Sequence, residues 1–291
     1  MELRQLRYFL KAKELLNFTA AAAELYISQS TLSQQIKQLE IELGVPLFNR
    51  IGKRVKLTEA GELFYEYALQ SVNSANNGFD LLKDLKNLDT GELKIGATYG
   101  MKHIVTGSVT QFLSLYPKIV IHVIYGTSRE LIEKLDNFEL DFVLSFQEFE
   151  VNKNHKYQFL FDSEMVLIGA SDSELNKLKK VKMENLVQFP LALPAKGFST
   201  RQYIDSILKK KNLELNISLE VNDIPMLLDL VKTGKFFTVL AKTTVQNFNS
   251  LISVPIIQPQ MIRKGMIISI KDIYEKKAAK EFYKIINDSL V

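Results

Sequence analysis

The chain has 291 residues, too many for one ordinary domain and enough for two or three. Its hydrophobic share of 46% and charged share of 24% are those of a globular protein, which excludes an intrinsically disordered chain. The net charge is +4 and there is no cysteine, so disulfides, thiolate catalysis and cysteine-ligated zinc are excluded and a reducing compartment is indicated.

The first residues, MELRQLRYFLKAKELL, carry charges at helical spacing instead of a basic patch followed by an apolar run. We therefore expect no signal peptide. No stretch approaches the roughly 18 consecutive apolar residues of a membrane span, so no membrane partner is expected. The predicted location is the cytoplasm.

Hydrophobic spacing predicts three short helices near the N-terminus, at residues 3–16, 20–25 and 29–43. Asn17 and Phe18 break the first helix, and Thr19 is the expected N-cap of the second. Ser28 is the expected N-cap of the third helix, and Gly44 is its expected left-handed C-terminal residue.

The third predicted helix has an apolar side and a polar side. Its inward stripe is Leu32, Ile36, Leu39 and Leu43. Two short helices joined by a tight turn, the second of them polar on its outer side, are typical of a helix-turn-helix. The segments VPLFNR and GKRVKLT that follow predict two strands around a basic turn at residues 51–54, which is a wing.

A helix in the major groove must present short or bidentate polar groups to the base edges. Gln29 suits an adenine edge, whereas the cations suit phosphates or a narrow minor groove. A polar helix face is often only solvated, but its ordered combination with a cap, a glycine stop and a basic wing indicates DNA binding. The predicted DNA-binding residues are Gln29, Ser30, Thr31, Ser33, Gln34, Lys37, Arg50, Lys53 and Arg54.

Residues 58–89 contain no proline and are predicted to form one long helix. Apolar or small residues follow each other at alternating spacings of four and three, namely Ala60, Phe64, Tyr67, Ser71, Ser74, Gly78, Leu81, Leu85 and Leu88. Such a seam must be buried on the chain's own body or on a partner chain, and a partner chain is the simpler answer. We expect a homodimer or homotetramer with Phe64, Tyr67, Leu81 and Leu85 in the contact.

From residue 91 onward the pattern changes to alternating strands and helices. Strand-like runs lie at 93–97, 119–125, 140–146, 165–170, 191–193, 237–241 and 266–271, and helical segments near 101–116, 128–138, 199–211, 224–233 and 274–290. Near-continuous apolar strands with helical crossovers predict an α/β domain with a mostly parallel sheet, long enough for two small lobes.

Three strand-to-helix junctions, ATYGM, YGTSREL and AKGFSTRQ, are expected to form a polar cleft suited to a small anion. Ser128 and Ser199 fit equally well as ordinary helix caps, a role that does not exclude ligand contact. The predicted effector-binding residues are Thr98, Tyr99, Thr127, Ser128, Ser199, Thr200 and Arg201.

Enzyme functions lack the residues they need. His103, His122 and His155 lie in unrelated segments without a carboxylate or a second histidine at ligand spacing, so no metal site is expected. The sequence has no glycine-rich phosphate loop and no nucleophile elbow. We expect no catalytic residues and no cofactor.

Residues 1–61 resemble the winged helix-turn-helix of LysR-type transcriptional regulators. The matching segments are LRQLRYFL, NFTAAAAEL, SQSTLSQQIKQLEIELGVPLFNR and GKRVKLTEAG. That family usually has proline at position 30 and arginine at position 34, where this chain has Ser30 and Gln34, so an altered base preference is expected. The chain length, the long helix and the α/β remainder extend the resemblance to the whole chain.

The resemblance implies a multi-domain fold: an α-rich winged helix-turn-helix head at 1–58, a linker and dimerisation helix at 59–89, and a two-lobed α/β effector-binding domain like periplasmic binding proteins at 90–291. Lobe one is expected at about 91–161 and 265–291, and lobe two at about 162–264. In the segment KTGKFFTVLAK, Phe236, Phe237 and Ala241 stand where smaller residues and proline are usual, so the cleft would be smaller or more apolar if this segment lines it.

The function implied is that of a bacterial transcription regulator that binds double-stranded DNA, responds to a small polar or anionic effector and contacts RNA polymerase. An effector-independent repressor or architectural protein with a vestigial cleft remains the alternative. A solute-binding protein would explain residues 91–291 but not the head.

Overall fold

The computed structural model describes residues 1–51, 54–84, 91–147, 151–246, 248–257 and 261–290, without the side chains of residues 50, 51, 54, 80, 83 and 84. These residues form two compact units, Met1–Lys86 with Asp136–Glu139 (unit 1) and Asn87–Leu135 with Leu140–Val291 (unit 2). Among the described helices, none has both the length and the apolarity to cross a membrane.

Unit 1 starts with three helices and a two-stranded hairpin, here called the head, and continues into a long fourth helix. The elements are α1 (Leu3–Leu15), α2 (Phe18–Glu24), α3 (Gln29–Leu43), β1 (Phe48–Ile51), β2 (Arg54–Leu57) and α4 (Glu59–Asp84). β1 and β2 are antiparallel, with Phe48 opposite Leu57 and Arg50 opposite Val55. Three helices followed by such a hairpin form the winged helix-turn-helix that the sequence predicts.

Both ends of α3 lie where the sequence places them. The Ser28 hydroxyl accepts a hydrogen bond from the Thr31 N–H at 3.0 Å, which satisfies one of the free donors at the helix start. Gly44 closes the helix with a φ of +73°, a conformation that glycine adopts without a steric penalty.

The start of α2 differs from the prediction. The Asn17 side chain accepts hydrogen bonds from the N–H groups of Thr19 and Ala20, at 3.0 and 3.1 Å. Asn17 is therefore the N-cap, Phe18 is the first helical residue, and Thr19 is not the cap. Phe18 is drawn into the helix because its buried ring packs 5.3 Å from the Phe48 ring.

The head is held together by α3 leucines and by aromatic rings. Leu32, Ile36 and Leu39 are fully buried, and burial of each such side chain contributes about 1.5–3 kcal/mol. The Phe9 ring lies 5.5 Å from the rings of both Phe48 and Phe64, so α1, the hairpin and α4 share one core.

The contact between Phe9 and Phe64 corrects the prediction that Phe64 faces a partner chain, because the ring is directed into the core of its own head. Tyr67 and Leu63 are 70% and 69% exposed, and Leu81 is half-buried. The sequence pattern did not select Leu63. Leu85 and Leu88 lie outside the described residues.

Unit 2 alternates strands and helices. Its strands are β3 (Gly91–Ala97), β4 (Ile119–Tyr125), β5 (Phe142–Phe146), β6 (His155–Ala170), β7 (Val181–Lys182), β8 (Leu191–Pro194), β9 (Ile217–Val221), β10 (Thr238–Ala241), β11 (Leu251–Ile257) and β12 (Ile262–Ile270). Its helices are α5 (Lys102–Leu115), α6 (Ser128–Asp136), α7 (Ser199–Lys211), α8 (Ile224–Lys232) and α9 (Lys277–Leu290).

The expectation of a mostly parallel sheet is correct only for part of unit 2. β4, β3 and β5 are parallel, as are β8 and β9, whereas β12 is antiparallel to both β5 and β6. β10 and β11 are also antiparallel to β6. The chain leaves one lobe along β6 and returns along β12, so these two strands must run in opposite directions.

The two long strands β6 and β12 divide unit 2 into two lobes. β6 pairs with β12 up to Glu164 and with β10 and β11 from Met165 onward. Lobe one contains β3–β5, α5, α6 and α9, and lobe two contains β7–β11, α7 and α8. One eight-stranded mixed sheet runs through both lobes, and β8 and β9 form a separate parallel pair. This is the two-lobed α/β architecture that the resemblance implies.

Candidate nucleic-acid interface and ligand cleft

The polar side of α3 points away from the head core. Gln29, Gln34 and Lys37 are exposed and Ser33 is half-buried, while the leucines and the isoleucine on the other side are buried. Ser30 and Thr31 are exposed as well. A helix held by one face and polar on the other is suited to the major groove.

The side chain of Gln29 is held by its neighbour one turn along. Its amide nitrogen donates to the Ser33 hydroxyl at 2.9 Å. Adenine presents the N7 acceptor and the N6 donor in the major groove, which match a second amide N–H and the amide oxygen. Gln29 is thus oriented before any DNA arrives.

The hydroxyl groups at the start of α3 are engaged in its cap. The Ser28 hydroxyl lies 2.8 Å from that of Ser30 and 2.7 Å from that of Thr31. Thr31 therefore offers its methyl group more readily than its hydroxyl.

The backbones of Arg50 and Arg54 lie in β1 and β2 of the wing, and their side chains lie outside the described part of the chain, as does Lys53. The neighbouring Lys56 on β2 is exposed. The structure shows the hairpin of the predicted wing, and DNA contact by Arg50, Lys53 and Arg54 stays a prediction.

In unit 2, the structure brings six of the seven predicted effector residues around one cleft between the lobes. These are Thr98 and Tyr99 before α5, Thr127 and Ser128 at the start of α6, and Ser199 and Thr200 at the start of α7. Ile224, the first residue of α8, also lines the cleft. Residues of four strand-to-helix junctions thus line one cleft. Free backbone N–H groups and a positive dipole end are general features of a helix start.

Arg201, the seventh predicted residue, does not line this cleft. It is only 3% exposed, and its guanidinium bonds Asp205 and Glu220, each at 2.8 Å. Arg201 directly follows Thr200 on α7, and consecutive helical residues point in directions about 100° apart, so its side chain is turned away from the cleft. Arg201 ties α7 to β9 instead of serving as a ligand cation.

Neither Ser128 nor Ser199 is the N-cap of its helix, so the helix-cap alternative does not apply to them. The cap of α6 is Thr127, whose N–H and hydroxyl donate to the Glu130 carboxylate at 2.9 and 2.8 Å. Ser128 is buried, and its hydroxyl lies 2.8 Å from that of Ser145. Ser199 is the first residue of α7 and follows the N-cap Phe198.

The cleft has a narrow inner part and a wide outer part. The inner part has about 30 Å³, room for about two water molecules. The outer part has about 420 Å³ and is lined by Tyr99, Tyr125, Lys102, Glu130 and Asp223, among others. An effector larger than two waters therefore needs either the outer part or a more open arrangement of the lobes.

The charges at the outer part are defined by hydrogen bonds and burial. The backbone and hydroxyl bonds from Thr127 lower the pKa of Glu130, so this carboxylate is ionised. Burial, and to a smaller extent the nearby Tyr99, raises the pKa of Tyr125, so its phenol stays a neutral hydrogen-bond group.

The Thr98 hydroxyl is a buried oxygen in this cleft without a hydrogen-bond partner among the described residues. A buried hydroxyl left without a bond costs about 1–3 kcal/mol. Because Thr98 lines the cleft, a polar ligand that reaches this oxygen would give it a partner.

Arg263 on β12 is a functional candidate that the sequence pattern did not reveal. It is 3% exposed and donates to the Ser199 carbonyl and hydroxyl at 3.1 and 3.3 Å, and to the Gln147 carbonyl at 3.5 Å. Its guanidinium also stacks between the rings of Phe146 and Tyr203. Arg263 thus connects the end of β5 in lobe one to the start of α7 in lobe two, beside the cleft.

The apolar lining also differs from the sequence expectation. Phe237 packs on Phe189 at 4.9 Å and does not line the cleft, whereas Leu240 and Thr244 from the same region do. Phe146 and Phe198 complete the apolar wall. Both rings border the narrow inner part. The sequence offered a signal for Phe198, which lies within the predicted junction AKGFSTRQ.

Two bacterial family descriptions match the chain. Residues 3–62 match "Bacterial regulatory helix-turn-helix protein, lysR family", and residues 86–290 match "LysR substrate binding domain".

No group of three or more metal-ligating side chains gathers within the residues described.

Known relatives span nearly the whole chain. It is 29% identical to the HTH-type transcriptional regulator BsdA of Bacillus subtilis, over 97% of this chain and 99% of BsdA. It is 29% identical to a probable RuBisCO transcriptional regulator of Thalassiosira pseudonana, over 97% of this chain and 95% of the other.

The fold is shared with full-length CbnR in complex with its target DNA, with a TM-score of 0.72, 23% identity, and coverage of 99% of this chain and all of CbnR. The two matched domains together account for the head and for unit 2. The chain therefore belongs to the LysR family of bacterial DNA-binding transcriptional regulators.

Proposed function

We propose that this chain is a sequence-specific regulator whose DNA binding responds to a small polar or anionic effector held between the lobes of unit 2. The domain division is that of the sequence analysis, with the head at 1–58, the linker at 59–89 and the effector domain at 90–291. The observation that carries the proposal is the buried Thr98 hydroxyl without a partner, at the point where four helix starts converge.

The chemistry of the cleft favours a small anion or a strongly polar group at the inner end. The inner lining has hydroxyl and backbone donors and no carboxylate, and Arg263 adds a cation behind Ser199. The outer part, where Lys102, Glu130 and Asp223 lie beside two tyrosines, suits a larger portion of the same molecule that carries hydrogen-bonding groups.

Effector binding would act on the balance between more open and more closed lobes. A ligand shifts that balance only by the difference in its affinity for the two states. Arg263 bonds groups of both lobes, so its contacts must change whenever the lobes move. We propose that the change reaches the heads of a homodimer or homotetramer, and that RNA polymerase is the downstream partner.

The test is a thermal-shift screen of wild-type protein against sulfate, phosphate, small carboxylates and phosphorylated sugars. A ligand at about 100 times its dissociation constant stabilises the folded state by about 2.7 kcal/mol. A hit must also alter the protection of an operator fragment in footprinting. Stabilisation by no compound of a broad metabolite library would favour the alternative, an effector-independent DNA-binding protein with a vestigial cleft.

A further inference from the structure

Tyr26 has an unusual combination of exposure and backbone conformation. It lies in the turn between α2 and α3, and its side chain is 96% exposed, the highest value among the large hydrophobic residues that the structure describes. Its φ is +56°, in the left-handed region. The sequence analysis assigned no role to this residue.

The fold itself makes no use of this tyrosine side chain. A left-handed backbone is unfavourable for a residue with a Cβ, and glycine or asparagine adopts it more easily. Of the four other non-glycine residues with a left-handed backbone that the structure describes, two are Asn212 and Asp272, and the other two are Leu16 and Phe138. A ring that is almost entirely exposed also gains little from burial.

The turn is closed by backbone groups alone. The Tyr26 N–H donates to the Ala23 carbonyl at 3.1 Å, and the Ile27 N–H donates to the Ala22 carbonyl at 3.0 Å. Neither bond involves the phenol. An unfavourable conformation held by the surrounding structure is more common at functional sites than elsewhere.

The position of Tyr26 relates it to the DNA. Ile27 packs against the head core, and Ser28 caps the helix that starts at Gln29 and whose polar side is predicted to enter the major groove. The exposed ring of Tyr26 therefore leaves the chain beside the start of α3. Tyrosine hydroxyls are among the usual donors to DNA phosphates.

We propose that Tyr26 contacts the DNA backbone, with its phenol hydroxyl donating a hydrogen bond to a phosphate oxygen beside the groove that α3 enters. Such a contact fixes the position of the helix on the duplex and raises affinity without selecting bases. It differs in kind from a lysine or arginine contact, because a neutral phenol displaces no counterion. The inference concerns the head and does not depend on the effector.

The first experiment uses Tyr26→Phe in the full-length chain. Affinity is measured on a genomic fragment that the wild type retains and on a random-sequence duplex. We expect the dissociation constant to rise about two- to tenfold on both duplexes, the range of one hydrogen bond. The slope of log affinity against log salt should stay unchanged, whereas Arg54→Ala should reduce it.

The second experiment separates the backbone from the side chain. Tyr26→Gly should slow amide hydrogen exchange in α2 and α3, because the backbone conformation becomes favourable, and should still weaken DNA binding. The matched control is Leu16→Gly, the other left-handed non-glycine position in the head, with a φ of +47°. It should slow exchange without changing affinity.

Three results would overturn the proposal. If Tyr26→Phe binds as the wild type does while Tyr26→Gly is weak, the contact is made by the ring and the hydroxyl assignment is wrong. If both variants bind both duplexes as the wild type does, Tyr26 does not touch DNA. If the loss is confined to the genomic fragment, the side chain contacts a base and not a phosphate.

Discussion

At the scale of single residues, two polar side chains are candidates to bind another molecule, one of them DNA and the other a small ligand. Gln29 is oriented by Ser33 on the exposed side of α3, and the Thr98 hydroxyl is buried in the cleft without a partner. The first is exposed, as contact with a base edge requires, and the second gains a partner only when a ligand atom reaches it. Removing either group therefore has different effects on folding and on binding.

Gln29→Ala should weaken binding to the preferred operator by about 1–3 kcal/mol and relax the preference at one base pair. The reason is that the amide would form two directed bonds that only adenine satisfies fully. Selection from a random duplex library, with wild type and variant in parallel, measures this. An equal loss on preferred and random DNA would show that Gln29 makes no base contact.

Thr98→Val should change stability and effector response in opposite directions. Without a ligand, loss of a buried hydroxyl that has no partner should stabilise the protein by about 1 kcal/mol. With a ligand from the thermal-shift screen, the stabilisation by that ligand should shrink. The matched control is Thr106→Val on α5, whose hydroxyl is bonded to the Lys102 carbonyl at 2.9 Å and which is exposed. If Thr98→Val leaves the ligand shift intact, Thr98 is not part of the binding site.

At the scale of elements, the α4 helix approaches the hairpin so closely that it requires glycine. A Cβ on Gly61 would lie 2.2 Å from the Leu47 carbonyl oxygen, which is backbone and cannot turn away. The Thr58 hydroxyl, bonded to the Pro46 carbonyl at 2.7 Å and accepting from the Gly61 N–H at 3.0 Å, fixes the same junction. The start of the linker helix is thereby tied to the wing.

Gly61→Ala should destabilise the head by about 1–3 kcal/mol or more, because the clash must be relieved by moving backbone. Gly78→Ala on the same helix is the control, since no atom lies within 4 Å of its Cβ position. That change should stabilise α4 by about 0.5–1 kcal/mol. Hydrogen exchange of α1 and α3 amides in the full chain compares the two. If both variants showed the same amide exchange rates, the close approach of Gly61 to Leu47 would contribute nothing to the stability of the head.

The sequence predicted an element correctly where hydrophobic periodicity and the capping residues indicate the same bounds. It missed strands that lack a clear hydrophobic pattern. α3 shows its stripe, its serine cap and its glycine stop, so its bounds were predictable. The first half of β6, HKYQFLFDSE, mixes polar and apolar residues because it crosses between lobes, and β11 contains Pro255. In the cleft, the strand-to-helix junctions revealed the hydroxyl residues, but nothing local revealed Arg263, which reaches the cleft from a distant strand.

At the scale of the whole molecule, the exposed apolar residues of α4 indicate a contact with a second copy of the chain. Leu63 and Tyr67 lie four residues apart on the side of the helix away from the head core, and large exposed apolar surface commonly marks an interface. Leu81 continues the same side. We keep the expectation of a homodimer or homotetramer, with Leu63 in the place that the sequence analysis gave to Phe64.

The double variant Leu63→Glu, Tyr67→Glu should sediment as a monomer where the wild type sediments as a dimer or larger. In a two-fold symmetric contact each substitution is present on both copies, so four new carboxylates would enter one apolar interface. Val187→Glu, a similar change at an exposed position in lobe two, should leave the sedimentation coefficient unchanged. An unaltered dimer in the double variant would place the interface elsewhere.

β6 pairs with β12 in its first half and with β10 and β11 in its second half, so its hydrogen bonds hold strands of both lobes. Neither lobe therefore has a complete sheet of its own. Melting one lobe would strip strand partners from the other, which favours a single cooperative transition for unit 2. In scanning calorimetry the calorimetric and van't Hoff enthalpies of that transition should agree. A compound that binds residues of only one lobe would then raise the unfolding temperature of the other lobe as well.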